Sequence, residues 1–88
     1  MPYIKQKQRD RIHDEMHLPV LNTVGQLNYF ITEVIQHYLA SKNSILHYKD
    51  YNEVMGALAC ISQEYYRRVV AEYETLKGEE EGDVFWLK

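Results

Sequence analysis

Apolar residues recur at a helical spacing in the middle of the chain. Between residues 27 and 39 the steps between successive apolar residues alternate between three and one, which places these side chains on one face of an amphipathic helix. The residues are Leu27, Phe30, Ile31, Val34, Ile35, Tyr38 and Leu39. Thr23 and Gln26 fit a capping box, because Gln26 follows Thr23 by three residues. We predict a second helix that begins at this box and ends near residues 41–43.

A longer apolar stripe follows a connector, "NSILHYKD", whose Ile45-Leu46 pair we expect to pin the loop to the core. Asp50 and Glu53 fit another capping box, and Gly78 fits a C-terminal stop. We therefore predict a third helix from about residue 50 to residue 76 or 77, roughly 40 Å long at about 1.5 Å per residue. With residues about 100° apart, one arc forms its core face: Tyr51, Val54, Met55, Leu58, Ile61, Tyr65, Val69, Tyr73 and Leu76.

The two ends of the chain have a different pattern. Pro2 and the β-favouring residues after it indicate an extended segment over residues 1–6. Good helix formers occupy about residues 7–17, and Pro19 breaks or restarts that helix, so the first helix is short or kinked. Residues 79–88 form a tail rich in Gly and acids. It contains the apolar run Val84–Leu87, which either packs back on the chain or pairs with another chain.

These elements predict one all-α domain over residues 1–88: a small helical bundle with a short N-terminal helix, an amphipathic second helix and a long third helix. A chain of 88 residues buries a limited core, so we expect a homo-oligomer assembled through the third helix. Gly56 and Cys60 are small residues on the outward side of that helix. This side is a solvated face, the contact of a second subunit, or a surface where Gly56 contacts a ligand directly.

Composition narrows the function classes. The net charge of −3 argues against general nucleic-acid binding, although "KQKQRDR" carries four of the ten Lys and Arg residues. The single cysteine, Cys60, excludes an intrachain disulfide and a cysteine-rich zinc site, and it favours a reducing cytosol. No apolar stretch approaches the length of about 18 residues that a membrane span needs. The N-terminus also lacks the apolar run of a signal peptide.

Catalytic chemistry has little support. His13 and His17 in "HDEMH" have the i,i+4 spacing of metal ligands, but Asp14 stands where zinc proteases have Glu and no third ligand follows in a matching motif. Cys60 lies among small and apolar residues, which favours an inert thiol. There is no glycine-flanked serine elbow and no glycine-rich phosphate loop. We expect neither an enzyme nor a metal or cofactor site.

Anion binding is the better-supported chemistry. In "CISQEYYRRVV", Arg67 and Arg68 carry guanidinium groups that can bind phosphate or carboxylate with two hydrogen bonds. Tyrosine is abundant, with 8 residues, and Tyr3, Tyr29 and Tyr66 can stack on a base. Further charge comes from the first segment: Lys5, Lys7, Arg9 and Arg11. The same composition also fits an ordinary helix with i,i+4 ion pairs, such as Glu64 with Arg68.

Five blocks of the chain form a recognisable pattern: "MPYIKQ" at the start, "GQLNYFIT" (25–32), "DYNEVMGALAC" (50–60), "EYYRRVVAEYE" (64–74) and "GDV" (82–84). Together they resemble a family of small proteins of unknown function found in tailed phages and bacterial genomes. The family usually has Glu where this chain has Gln26, and Glu-Asn where it has Glu80-Glu81. The segment around Pro19 departs more from the family pattern.

This resemblance implies a setting, a phage accessory protein acting in a bacterial cytosol. Accessory phage proteins of this size are often counter-defence factors, and some are oligomers that sequester nucleotide immune signals without catalysis. The family-like polar residues are the candidates carried over for a pocket: Tyr3, Asn28, Tyr29, Asn52, Glu64, Arg67 and Arg68. Three further residues complete the candidate site: the cations Lys5 and Arg9 of the first segment, and Tyr66, whose ring can stack on a base.

Two functions from different classes remain open. The first is a non-enzymatic binder of a small phosphorylated, nucleotide-like host signal. The alternative is a helical protein–protein adaptor or inhibitor of a host factor, which would dock through Tyr29 and the Phe85-Trp86 tail. A DNA-binding protein ranks third because the overall charge is acidic.

Overall fold

Helices make up most of the computed structural model, which describes residues 2–87. The α-helices are α1 (Gln6–Glu15), α2 (Val24–Ala40), α3 (Tyr48–Tyr65) and α4 (Ala71–Glu81), and a π-helical segment (Tyr66–Val70) lies between α3 and α4. No strand occurs in residues 2–87. The predicted all-α class is therefore confirmed, with the predicted third helix divided into α3, the π-helical segment and α4. The chain divides into two compact units, residues 3–55 and residues 56–87 with Pro2.

Helix α1 is as short as the sequence predicts, and it ends before the proline. Met16 has an extended backbone with φ −82° and ψ 128°, so His17 lies beyond the helix. His13 and His17 therefore do not share a helical face. The start of α1 is fixed locally, since Nε of Arg9 donates to the carbonyl oxygen of Ile4 at 2.9 Å.

Helix α2 begins and ends where its pattern predicts. The hydroxyl of Thr23 accepts the backbone N–H of Gln26 at 3.1 Å, which satisfies one of the unpaired donors of the first turn. The side-chain oxygen of Gln26 accepts the N–H of Asn22 at 2.6 Å, one residue earlier than a standard capping box requires. After the helix ends at Ala40, Asn43 adopts a positive φ of 52°.

Helix α3 begins at Tyr48, before the capping box that the sequence predicts at Asp50. Asp50 lies in the first turn, and its Oδ2 accepts the backbone N–H of His47 at 2.9 Å. It is the buried residue of this region, only 6% exposed. Nζ of Lys42 lies 3.6 Å from Asp50 and 3.8 Å from Glu53. The Asp50 carboxylate thus binds an N–H group three residues before it in the chain, so the predicted start of the helix was wrong by two residues.

The end of the last helix also differs from the prediction. Helix α4 continues through Gly78 to Glu81 and ends at Gly82, whose φ of 92° favours glycine. Gly78 is therefore not the stop. Residues 79–81, predicted as the start of the tail, are helical, and the irregular tail begins at residue 82.

The predicted core face is the main point of disagreement. No hydrophobic side chain in residues 2–87 is buried. The third-helix residues predicted to form the core are largely exposed: Ile61 is 56%, Tyr65 61% and Tyr73 59% exposed. Of the connector pair, Ile45 is exposed and Leu46 is half-buried. Among the described residues, no helix has the length and apolar character to span a membrane.

The cap at Asp50 gives a pH-dependent stability. The hydrogen bond from the His47 N–H, with a smaller contribution from the charge of Lys42, lowers the pKa of Asp50 below its ordinary value. Since the folded-state pKa is the lower one, the stabilisation is complete above the ordinary value of about 3.9 and is lost as the pH falls through the folded value. We expect Asp50→Ala to lower Tm at neutral pH by on the order of 5 °C.

Thermal unfolding followed by circular dichroism measures this effect, with Asp14→Ala on α1 as the matched control. The difference in Tm between Asp50→Ala and the unmodified chain should shrink as the pH falls below about 4. A difference that stays constant over that range would show that the Asp50 carboxylate does not cap α3.

Candidate functional site

Three of the predicted site residues meet where α3 passes into the π-helical segment. The Nη2 group of Arg67 donates to Oε1 of Glu64, and Nε of Arg68 lies 4.0 Å from the same oxygen. The Glu64 side chain is 21% exposed, whereas those of Arg67 and Arg68 are 64% and 63% exposed. One carboxylate thus faces two guanidinium groups, and the cluster keeps a net positive charge that solvent can reach.

The π-helical segment coincides with the sequence "YRRVV". Its hydrogen bonding is shown by the N–H of Ala71, which donates to the carbonyl oxygen of Tyr66, five residues earlier. Such segments are rare and are found frequently at functional sites. Because each π-helical residue turns the chain by less than an α-helical one, the segment rotates the following helix by roughly 90° from a continuous α-helix. A single apolar face therefore does not continue from α3 into α4.

Tyr66 has a different environment from the two arginines. Its hydroxyl donates to Oε2 of Glu74 at 2.8 Å, and this hydrogen bond, followed by the negative charge of Glu74, raises the pKa of Tyr66. Tyr66 also lines a groove with Glu74, Glu79, Asp83 and Phe85 among others. Three carboxylates in one groove disfavour a phosphate, so the hydroxyl of Tyr66 is placed for an internal bond rather than for an anion.

The remaining candidates lie in the unit of residues 3–55: Tyr3, Lys5, Arg9, Asn28, Tyr29 and Asn52. Lys5 precedes α1, and its carbonyl oxygen accepts the N–H of Arg9 at 3.1 Å, so these two cations share the start of one helix. Tyr29 is 68% exposed, as its outward position on α2 predicts. It lines an uncharged groove together with Pro19, Leu21, Thr23, Gly25, Gln26 and Phe30. The tyrosine ring therefore borders an apolar surface that could accommodate another ring.

One polar cluster was not anticipated from the sequence. Nζ of Lys42 lies 5.1 Å from the centre of the Tyr38 ring as well as near Asp50 and Glu53. The hydrogen bond with Tyr38 is the main cause that raises the pKa of Lys42. Lys42 lies in the turn after α2, where helical periodicity gives no information on partners. We assign the cluster a structural role, joining the end of α2 to the start of α3.

The Tyr66–Glu74 hydrogen bond can be tested by titration. In Glu74→Gln the anionic acceptor is lost, so the pKa of Tyr66 should fall back towards the ordinary tyrosine value of about 10. The phenolate absorbance measured from about pH 9 to pH 12 reports this change once the same curve for Tyr66→Phe has been subtracted. Glu72→Gln on the same helix is the control and should leave the curve unchanged. An unchanged curve in Glu74→Gln would contradict the assigned hydrogen bond.

Comparison with known proteins places the chain in a family without assigning it an activity. The model of a domain of unknown function matches residues 1–84, nearly the whole chain. Neither a curated protein nor a solved structure is significantly similar to it. The match confirms the coarser part of the expectation, membership of a family of unknown function. The chain belongs to the DUF6899 family.

Proposed function

We propose that this chain is a phage-type accessory protein that captures a small phosphorylated, nucleotide-like immune signal of the bacterial host without catalysis. Binding takes place in the host cytosol and withholds the signal from its receptor. Arg67 and Arg68 bind the phosphate of the signal. The phage setting is supported by the sequence resemblance described above. The chemistry is supported by the arrangement of Glu64 and the two arginines.

The observation that carries this proposal is the guanidinium pair on the π-helical segment. Two exposed guanidinium groups share one carboxylate, so an incoming phosphate meets donors that are already oriented by Glu64. Charge-assisted hydrogen bonds of this kind are roughly twice as strong as neutral ones. Because the π-helical geometry is less favourable than an α-helix, its presence at these two arginines favours a binding role over an ordinary ion pair.

Self-association through the third helix belongs to the same proposal. Helix α3 exposes several large side chains of its apolar stripe, among them Tyr51 at 51% and Met55 at 64%. A Cβ atom added to Gly56 would meet nothing within 4 Å, so the chain itself does not use the space beside this glycine. A second subunit packing there would cover apolar surface and would account for a residue that costs helix stability, about 1 kcal/mol relative to alanine.

The first test of ligand capture is the variant Arg67→Ala. We expect it to weaken binding by about 10- to 100-fold, because one charge-assisted contact to phosphate is lost. The readout is native mass spectrometry of protein freshly purified from a bacterial host, followed by calorimetric titration with ADP-ribose and with a cyclic dinucleotide. Helical content should not change, since Arg67 is exposed.

Lys77→Ala is the matched control, because Lys77 also pairs with a glutamate three residues away, Glu80 at 3.5 Å. It should bind as the unmodified chain does. If Arg67→Ala bound the same molecule with unchanged affinity, the role of Arg67 would be wrong. If no phosphorylated molecule is retained and neither probe binds, ligand capture itself fails.

A second candidate function, a helical adaptor or inhibitor of a host protein, is favoured by the tail. Phe85 is 85% exposed, Trp86 84% and Leu87 82%. The tail leaves α4 at Gly82, and the N–H of Phe85 donates to Oδ1 of Asp83 at 2.9 Å, which forms a local turn. Exposed aromatic side chains such as these are typical anchors for a partner protein.

Deletion of residues 83–88 separates the two functions. If the tail is the docking element, the deletion should abolish pull-down of the host partner while oligomer mass and ligand affinity stay the same. Trp86→Ala should reproduce most of the loss, since buried tryptophans contribute about 2 kcal/mol or more at interfaces. Tyr48→Ala removes an aromatic side chain of similar exposure, 83%, and is the control. An unchanged pull-down in both tail variants would reject the adaptor function.

A further inference from the structure

Helix α2 carries a regular seam of exposed apolar side chains. Starting at residue 24, five apolar positions are separated by three, four, three and four residues, which is the a and d pattern of a coiled coil. We call these residues the α2 seam: Val24, Leu27, Ile31, Val34 and Tyr38. Their exposed fractions are 81%, 46%, 39%, 52% and 48%, respectively.

The exposure of the seam contrasts with that of its neighbours. Phe30 on one side, and Ile35 and Leu39 on the other, are half-buried. Phe30 lines the groove that includes Pro19 and Leu21. The margins of the apolar face are thus partly covered within the unit of residues 3–55, whereas its centre is exposed. An uncovered centre is the geometry expected when another helix lies along the seam.

We propose that a second copy of this chain covers the α2 seam, with the two α2 helices parallel and in register. In a parallel pair, each g position faces the e position five residues later on the partner helix. Within α2 this rule gives one complete pair, Phe30 with the partner's Ile35, which joins apolar to apolar.

The seam itself also fits a copy of itself. It contains no charged residue, so it offers no ion pair that would select a different partner. The a positions Val24 and Ile31 are β-branched and the d position Leu27 is not, a combination that favours two strands in parallel coiled coils. Val34 at the next d position and Tyr38 at the next a position depart from this rule, and nothing in the structure explains them.

The size of the seam sets the strength of the pairing. Helix α2 has 17 residues and is about 25 Å long. Covering its five partly exposed side chains removes roughly 300 Å² per copy from water, before the flanking pairs are added. Standard stable interfaces bury about 800 Å² per partner. This pairing alone is therefore weak, and its dimer dissociates on dilution.

The seam pairing is separate from the association proposed for the third helix, and it does not depend on ligand capture at Arg67. It would give each chain two faces that contact other copies, one on α2 and one on the third helix. Loss of either can be observed without the other.

Site-directed cross-linking tests the register. In a Cys60→Ser background, Leu27→Cys places thiols at equivalent d positions of the two helices. An axis separation of about 10 Å, less two helix radii of about 2.3 Å, brings the Cα atoms to roughly 5 Å, within the range of a disulfide. We expect rapid formation of a disulfide-linked dimer under mild oxidation.

Gln36→Cys in the same background is the matched control, since residue 36 lies on the opposite side of α2. It should cross-link at least about tenfold more slowly than Leu27→Cys. Equal rates would mean random collision and would overturn the proposal. Slow cross-linking at both positions would overturn it as well, because an antiparallel pair or a seam covered within the same chain brings no equivalent pair of residues 27 together.

A second measurement does not depend on cysteine. Ile31→Lys introduces a charge in the middle of the seam, and Gln36→Lys introduces the same charge on the opposite side. In sedimentation over a series of protein concentrations, Ile31→Lys should raise the dissociation constant at least about tenfold, while Gln36→Lys leaves it unchanged. Circular dichroism verifies that both variants keep their helices. The proposal would be overturned if the two variants had equal mass distributions. It would also be overturned if the unmodified chain stayed monomeric at every concentration.

Discussion

Apolar side chains stabilise a fold only when they leave water, and in this chain that transfer is incomplete. The one residue of the range 2–87 that is buried is an aspartate, Asp50, while the largest aromatic and aliphatic side chains are exposed. Small domains bury a lower fraction of their surface than large ones, but they normally still have a hydrophobic core. Local hydrogen bonds at Thr23 and Asp50 define where the helices begin. They do not replace a core, because helical segments of this length are marginal in water without tertiary packing.

The candidate site depends on a departure from the regular helix. In a continuous α-helix, the residues of "YRRVV" would differ in direction by about 100° each, and the faces before and after them would stay aligned. The π-helical segment breaks that alignment while Glu64 keeps both Arg67 and Arg68 within reach of one carboxylate oxygen. On the other side of the same segment, Tyr66 bonds to Glu74. The two arginines thus pair with Glu64, whereas Tyr66, the residue next to them, pairs with Glu74.

Local rules predicted much of the secondary structure. The limits of α2 follow from the Thr23 cap and from the loss of apolar periodicity after Leu39, which act within one or two turns. Helix α3 begins two residues before the predicted start, because the Asp50 carboxylate accepts the N–H of His47, three residues earlier. An aspartate is favourable both as the N-cap and in the first turn of a helix, so the sequence does not distinguish the two positions. The sequence predicts a stop at Gly78, but a glycine inside a helix only lowers the stability of that helix, whereas Gly82 has the positive φ of a helix end.

The site could be predicted only in part. The Glu64–Arg68 pair follows from i,i+4 spacing, and Glu64–Arg67 from i,i+3. The π-helical segment is not predictable from the sequence, because helical periodicity has a period of 3.6 residues and no side-chain pattern indicates an i→i+5 hydrogen bond. The predicted core failed for a related reason. Periodicity identifies the apolar face of a helix, but it does not say whether the same chain covers that face.

An uncovered apolar face links the lifetime of a protein to its abundance. Chaperones and proteases act on exposed hydrophobic segments, and association that hides such a face removes the substrate they recognise. For a chain with the α2 seam, slow synthesis would leave each copy alone and exposed to degradation, whereas rapid synthesis would let copies meet before they are cleared. The amount that accumulates would then rise more steeply than the rate of production. Such a protein would act as a threshold device, absent during weak expression and abundant during a burst.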